Sequence, residues 1–472
     1  MLAPFLRAEA ARAQTIGQNF TGSTRVQLGF IPPDTMGAIG PSHFAELLNG
    51  RFAVYDKFGV NNSDGTRTPV LAKTLNQFWT DSGVTPQGAF AFDPRIVYDP
   101  TSGRWFASAA DNIRVANRFL LAVSETPDPS GPWHGFGIDS EAANTRWADF
   151  PTLGFNSTGV YMSANMLDVG GGVGNQQTTI VAIPKTDLLA PSPTVANARL
   201  FENLISTAGT SVQPLANFDN GSPTAAFVTF AGPLRRTDLT GTIASGSITG
   251  PTILNSLNSL NPPPTADQAD NFATGQQTPK ANIYTLDQRI TANVALRGGV
   301  IWGVQTGNVN GNCGLQWFKI RASDNQVLQT GIISDPSISY YYGSIAVNEF
   351  GDVVIGANGS GADTFVSSYA FVGDSAGDNP LGATTFGAPL LLKAGVDDYQ
   401  RLDSTGRNRW GDYSATTPDP SNPFSFWTIQ EFVSADNEYS LQVTQILIPE
   451  PASIAMLVIT FTLGTSRRRR RP

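Results

Sequence analysis

An arginine stands close to an aspartate in four comparable segments: Asp93 with Arg95, Arg146 with Asp149, Asp287 with Arg289, and Arg409 with Asp412. Asp34 holds the equivalent position in a fifth segment. Two copies match closely, Arg146-Trp147-Ala148-Asp149-Phe150 and Arg409-Trp410-Gly411-Asp412-Tyr413. Charged residues make up only 14% of the 472, against about 25% in an ordinary soluble domain. In so sparsely charged a chain, repeated Arg/Asp neighbours are not decoration. They admit two readings. Each aspartate can cap its own turn and pair with its own arginine, a satisfied knot within one repeat. Alternatively, the carboxylates and guanidiniums converge on one site. There they would bind a sugar, a carboxylated polymer or a divalent cation such as calcium.

Other chemistries are poorly supplied. The single cysteine, Cys313, excludes a disulfide framework and a Cys-based zinc site. His43 and His134 are the only histidines, too few for a multi-His metal centre. Neither has a Ser or Cys constellation, so both read as structural. A net charge of −8 argues against nucleic acid as a partner. Gly170-Gly171-Gly172-Val173-Gly174 lacks the Gly-Lys-Ser/Thr of a phosphate loop and reads as a loop between strands. Asp397-Asp398 through Asp403 lacks EF-hand spacing and reads as a solvated loop. Many acids are present, but spacing alone selects no pair for glycoside cleavage. No catalytic residue and no resident cofactor is assigned. Trp105, Trp302, Trp317 and Trp427 fall at inner strand positions and read as core. Trp147 and Trp410, beside the Arg/Asp pairs, also read as core, with stacking on a sugar ring as the functional option.

The elements that must carry these residues are strands. Gly (47) and Pro (32) are frequent, and 40% of residues are apolar. A unit of about sixty residues recurs: a polar or aromatic lead-in, a short apolar strand, an Asp/Asn/Pro/Gly turn and a second apolar strand. Its lead positions are Asp34, Asp93, Asp149, Gln213, Asp287, Tyr341 and Asp412. Seven hairpin-centred units predict an all-β fold, a β-propeller of seven four-stranded blades. Six blades or two packed sandwiches are the other arrangements. The Pro/Asp/Gln/Asn stretch from Asn261 to Lys280 is expected to be a surface insertion. Closure is expected where the two ends meet, with Gln27-Leu28-Gly29-Phe30 adding the outer strand beside Phe424–Val433 and Tyr439–Ile448.

The C-terminus has three parts in order: Pro449-Glu450-Pro451, an apolar run from Ala452 to Gly464, and Arg467, Arg468, Arg469, Arg470 and Arg471. The run spans about 20 Å as a helix and would be extended by snorkelling of the arginines, which the positive-inside effect holds at the cytoplasmic face. This order resembles the PEP-CTERM sorting signal of Gram-negative bacteria. The resemblance implies a short transmembrane sorting helix, processing by an exosortase, transient contact with the inner membrane, and delivery to the cell surface or extracellular matrix. Ala11-Arg12-Ala13 before Gln14 fits a signal-peptidase site, and the weak region before it suggests that the true start lies upstream. Residues 1–13 are then a leader remnant, 14–448 the β body and 449–472 the tail. The body also resembles uncharacterised secreted bacterial propeller proteins, through Pro32-Pro33-Asp34-Thr35-Met36-Gly37-Ala38, Asn49-Gly50-Arg51-Phe52-Ala53-Val54-Tyr55-Asp56 and Arg409-Trp410-Gly411-Asp412-Tyr413-Ser414-Ala415. The expected role is binding of polysaccharide or another surface protein. A polysaccharide hydrolase or lyase on a sialidase-like propeller is the first alternative, although no Ser-x-Asp-x-Gly-x-Thr-Trp box is present. A purely structural matrix or biofilm component is the second.

Overall fold

The structure, a computed structural model, describes residues 14–170, 174–230, 232–254, 260–272 and 278–450. The leader remnant, most of the glycine run and the tail beyond Glu450 lie outside the described residues. So do Pro451 and the five terminal arginines. No helix among the described residues is long and apolar enough to cross a membrane.

The protein is all-β, and its strands fall into antiparallel units. Each unit opens on a leading strand: Gly37–Ile39, Ala91–Asp99, Arg146–Phe155, Gln213–Asn217, Val294–Arg297, Ser339–Val347 and Ala415–Pro418. Of the predicted lead positions, Gln213 opens its strand, Asp93, Asp149 and Tyr341 fall inside theirs, and Asp34, Asp287 and Asp412 lie ahead of theirs. Each leading strand touches the next in chain order, and the last touches the first. Those of the third, fourth and fifth units pair in parallel, Phe155 with Ala216 and Leu215–Asn217 with Val294–Leu296. The remaining strands of each unit run outward in antiparallel succession.

Apolar residues fill the spaces between neighbouring units. Phe106, Phe119 and Leu121 of the second pack with Leu153, Val160 and Met162 of the third. Trp302 and Leu315 of the fifth pack with Tyr340 and Ile355 of the sixth. Strands buried on both faces need apolar residues at almost every position, and this accounts for the low charge. Trp105, Trp302, Trp317 and Trp427 are buried as expected, and so are Trp147 and Trp410. The two tryptophans beside the Arg/Asp pairs are core, not sugar platforms.

One backbone device recurs where the leading strands begin. Asp34, Asp93, Phe150, Ser211, Leu286 and Tyr342 all have φ between 49° and 60°. This left-handed conformation disfavours a residue with a Cβ. In three units it coincides with a register shift against the second strand, at Phe92/Arg95, Asp149/Thr152 and Tyr341/Ser344. A bulge of this kind re-aims side chains at the end of a sheet. Successive units help to hold it. The Asp93 N–H donates to Asn49 Oδ1 at 3.0 Å, the Phe150 N–H to Asp93 Oδ2 at 3.0 Å, and the Ser211 N–H to Asn165 Oδ1 at 2.7 Å. In each case a side chain of one unit caps the strained residue of the next.

Two expectations are corrected. The closing strand is Thr15–Thr24, which pairs antiparallel with Glu438–Leu447. Gln27-Leu28-Gly29-Phe30 cannot serve, because Arg25–Leu28 forms a helical turn. Gln27 Oε1 accepts the Thr24 N–H at 3.0 Å, and Gly29 ends the turn at φ 72°. The described part of the 261–280 stretch is also not a mere surface insertion. Ala266 is buried and bridges to Ile283. Gln268 Nε2 donates to the Ala281 and Tyr399 carbonyls, both at 2.8 Å, and Gln268 Oε1 accepts the Tyr399 N–H at 3.0 Å. It supplies partners to a loop that has no strand neighbour.

The closing strand buries Phe20 beneath the Arg67 guanidinium, 4.0 Å from the ring centre. Its backbone is further clamped by Thr21 N to Gly65 O and Arg67 N to Thr21 O. Deleting residues 14–24 is therefore expected to abolish the cooperative melting transition of the whole domain, read by circular dichroism and calorimetry. An unchanged melting temperature would refute the closure.

Candidate functional site

The aspartates gather where the leading strands begin. Asp34, Asp93, Asp149 and Asp412 act electrostatically on one another and on Arg409 or Arg289. Arg95 is in reach of Asp93, Asp34 and Asp412. Residues from five units thus share one neighbourhood. It is not a set of separate knots, although knots are present within it: Arg409 Nη2 donates to Asp412 at 2.6 Å, and Arg289 grips Asp287 with two hydrogen bonds of 2.8 and 2.7 Å.

Arg95 lies at the centre and is fully buried. Its Nε donates to Pro151 O at 3.1 Å and its Nη1 to Thr291 O at 2.9 Å. The guanidinium lies 3.4 Å from the centre of the Tyr413 ring and 5.1 Å from that of Phe150. Tyr413 in turn donates to Pro94 O at 2.9 Å. Burial pulls Arg95 below its ordinary pKa, and Tyr413, Asp93, Asp34 and Asp412 oppose the shift. Its Nη2 has no hydrogen-bond partner among the described residues.

The carboxyl groups differ in state. Asp34 is buried; Asn49 Nδ2 donates to its Oδ2 at 2.7 Å, and its carboxyl also meets the Asp93 carboxyl. Burial, then the charges of Asp412 and Asp93, hold Asp34 well above the carboxylate range. Glu431, also buried, accepts from Thr35 Oγ1 at 2.7 Å and is pushed well up by burial. Asp412 is raised by burial and Asp93, with Arg409 opposing. Asp149 is half-buried and draws no hydrogen bond among the described residues. Burial, Asp93 and Asp412 push it up to about 7 against the pull of Arg289 and Arg409. Burial lowers Arg289, but Asp287, Asp412 and Asp149 together raise it above its ordinary value.

Arg146 is the exception among the predicted residues. Its Nη1 donates to Glu141 and its Nε to Asn175 O, and Asp168 lies 3.9 Å away. The match with Arg409 fails for a physical reason. Arg146 and Asp149 lie in one extended strand, where positions three apart face opposite ways. Residues 409–412 lie outside any strand, so an ion pair three residues apart can form.

Sequence reasoning missed Asn49, Phe150, Tyr413, Tyr284 and Glu431. Phe150 and Tyr413 had a signal, since each directly follows an aspartate in the two matched segments. Tyr284 lies under Arg407 and Arg409, 4.9 and 5.9 Å from their guanidinium carbons, and only the fold brings it there. The other predicted positions are structural. His43 faces Asp128 and His134 faces Glu125, while Cys313 is buried with Sγ 3.1 Å from Pro264 O and its pKa pushed up to about 11 by burial. Asp398 is buried, not solvated as expected: it accepts the Asn271 N–H at 2.8 Å and pairs with Lys280 at 2.5 Å. Asp397, Asp398 and Asp436 bring carboxylate oxygens within 4.8 Å of one another, and Lys280 already bridges two of them.

No protein-family model matches the chain, and no curated protein sequence does. Among solved structures it is similar to a Trypanosoma rangeli sialidase (10% identity, TM-score 0.36), with the match covering 91% of this chain and 60% of the sialidase. A Dyadobacter fermentans protein of unknown function matches at 12% identity and TM-score 0.31, over 76% of this chain and 95% of that one. A Coprinopsis cinerea GH62 α-L-arabinofuranosidase catalytic domain matches at 10% and 0.33, over 66% and 94%. Likenesses this remote carry no argument about fold or chemistry.

Two outcomes follow from the site. Arg95→Met removes two buried hydrogen bonds and the counter-charge of three aspartates. It is expected to cost about 3–5 kcal/mol, the range for breaking a buried pair, measured by urea denaturation. Asp149 folds with a raised pKa, so its contribution to stability is complete below the ordinary 3.8 and is lost as pH rises towards about 7. The melting temperature should therefore fall across that window, and Asp149→Asn should flatten the fall. An Asn variant with the wild-type slope would show that Asp149 is not the group responsible.

Proposed function

We propose that the seven units form a seven-bladed β-propeller, exported and sorted to the cell surface or extracellular matrix through its tail. Its role in this reading is to bind polysaccharide, with another surface protein as the other class of partner. The closed order of leading-strand contacts and the Thr15–Thr24 closure support the propeller. Support for sorting comes from the sequence of the tail alone.

The observation that carries the binding reading is Asp149. Its carboxyl, mostly but not wholly buried, has no hydrogen bond among the described residues and lies in the fields of Arg289 and Arg409. A saccharide hydroxyl is the natural partner for a carboxyl in that state, and the arginines suit ring oxygens or a uronate carboxylate. Losing one such hydrogen bond to a charged group is worth about 1.5–3 kcal/mol, roughly ten- to a hundredfold in affinity. A glycan array read with and without calcium is expected to give hits that Asp149→Asn and Arg409→Met weaken by that factor. No glycan hit, together with no calcium-dependent shift in melting temperature, would overturn the reading in favour of a structural matrix component.

One observation favours the hydrolase alternative. Asp149 holds its proton near neutrality, beside aspartates paired with arginines, and two acids in different states are what glycoside cleavage uses. Turnover of chromogenic glycosides that vanishes in Asp149→Asn, with the fold intact, would establish catalysis.

A further inference from the structure

The closing strand begins, and the last strand ends, at the end of the domain opposite the aspartates. The seventh leading strand, Ala415–Pro418, starts just after Asp412 and runs away from it; Ser425–Ala435 returns, and Glu438–Leu447 runs away again. Leu447 is therefore at the far end, and so is Thr15, its partner in the closing strand. Ile448 is still buried, and its N–H donates to Phe424 O at 2.9 Å. Only Pro449-Glu450-Pro451 separates it from the apolar run Ala452–Gly464. Three residues reach at most about 10 Å. The strand Glu438–Leu447 puts about 30 Å between that exit and the aspartate end.

That end carries apolar side chains in the open. Phe58 is 70% exposed, Val60 89%, and Ile16 of the closing strand 40%. Single exposed apolar residues are ordinary on a protein surface, but these stand together beside the exit of the chain. The strand Arg51–Asp56 runs out to the far end, since Ile39 pairs with Phe44 and His43 with Asp56. Lys57 then pairs with Asp419 of the seventh unit at 2.7 Å, and the Phe58 N–H donates to Asp56 Oδ1 at 2.8 Å. Asn61 Nδ2 donates to Asn19 O of the closing strand at 2.9 Å, and Arg67 Nε donates to Asn61 Oδ1 at 3.0 Å. The turn is thus pinned on both sides, with Phe58 and Val60 facing out.

We propose that this end of the domain is a membrane-contact surface. Before the tail is processed it lies against the bilayer, Phe58 and Val60 enter the headgroup boundary, and the aspartate end is turned away. The inference rests on the reading of the tail as a membrane segment, and not on what the aspartate end binds. Turning the aspartate end onto the lipid would lift the exit about 30 Å from it, well beyond the reach of a three-residue tether. Apolar side chains beside the anchor gain by leaving water, and the fixed turn leaves little ordering to offset that gain. The Arg/Asp neighbourhood therefore faces outward while the chain is still anchored.

The full chain, reconstituted into vesicles of phosphatidylcholine and phosphatidylglycerol that carry a nitroxide-headgroup lipid, tests it. Cys313 is buried, so a thiol-reactive fluorophore attaches at an introduced cysteine. Val60→Cys places it at the far end, and Ser404→Cys places it on an exposed position of the loop that leads to Arg409. The nitroxide lipid is expected to quench the label at position 60 and to leave the label at 404 bright. Phe58→Ser, with the tail intact, is expected to reduce the quenching at 60. Equal quenching at both positions, or stronger quenching at 404, overturns the orientation while the anchor stands. A membrane-bound chain with neither label quenched, or quenching at 60 that Phe58→Ser leaves unchanged, overturns the apolar contact. A chain that does not float with the vesicles overturns the reading of the tail, and this inference with it.

Discussion

A single guanidinium charge is buried where four units meet. Arg95 reaches the third unit through Pro151, the lead-in of the fifth through Thr291 and the seventh through the Tyr413 ring, while its own strand belongs to the second. A buried charge is tolerated only when it is paired and hydrogen-bonded. Here the pairing is shared: Asp93, Asp34 and Asp412 each contribute from a distance, and two backbone carbonyls and a π face make the close contacts. Any unit that shifted relative to its neighbours would uncover part of that charge. The Arg95 environment therefore ties the register of the units to one another more strictly than apolar packing can, since apolar contacts are not directional.

The left-handed positions serve the same end. Each costs backbone energy, yet six recur at the same place. They survive because they bend the leading strands as they begin and present the aspartate end. Asp93 has a double part in this. Its carboxylate caps the strained Phe150 N–H and also belongs to the charged neighbourhood. The two readings of the repeated aspartates, private turn cap and shared site, were never exclusive at this residue. Asp287 and Asp412 keep their own arginines, yet both arginines remain within the field of Asp149. Local satisfaction and convergence coexist because each hydrogen bond uses only part of a group's capacity.

Much of this was legible in the sequence because repetition is a strong signal. The seven lead positions land inside or ahead of the leading strands, and eight of the nine predicted Arg/Asp residues share one region. The failures have identifiable causes. Arg146 was grouped with Arg409 by spelling, whereas one sits in a pleated strand and the other in a loop, so equal spacing gives opposite directions. The closing strand was placed too late because Thr15–Thr24, with two glycines and a polar face, looks weaker than Gln27–Phe30, whose helical turn depends on a side-chain cap invisible to strand propensity. Asn49, Tyr284 and Glu431 could not be found at all. Their importance lies in what distant segments bring beside them; the motif that begins at Asn49 marked its segment but not its role.

The charge balance of the aspartate end decides what kind of ligand suits it. Asp34 is held well above the carboxylate range and Asp149 near neutrality. Arg289 pairs with Asp287 and Arg409 with Asp412. The region offers oriented donors and acceptors already engaged with one another, which in the binding reading suits hydroxyl-rich ligands better than simple ions. At the opposite end of the leading strands the charges pair as Lys57–Asp419 and Arg297–Glu349, around a cavity of about 530 Å³ walled in part by Ala38, Ala216, Ala295 and Ala346. Val97 lines that cavity, and Arg95 lies two residues earlier on the same face of the same strand. Arg95 and a wall of the far cavity are thus carried by one strand. A shift of that strand that uncovered the guanidinium would also reshape the cavity.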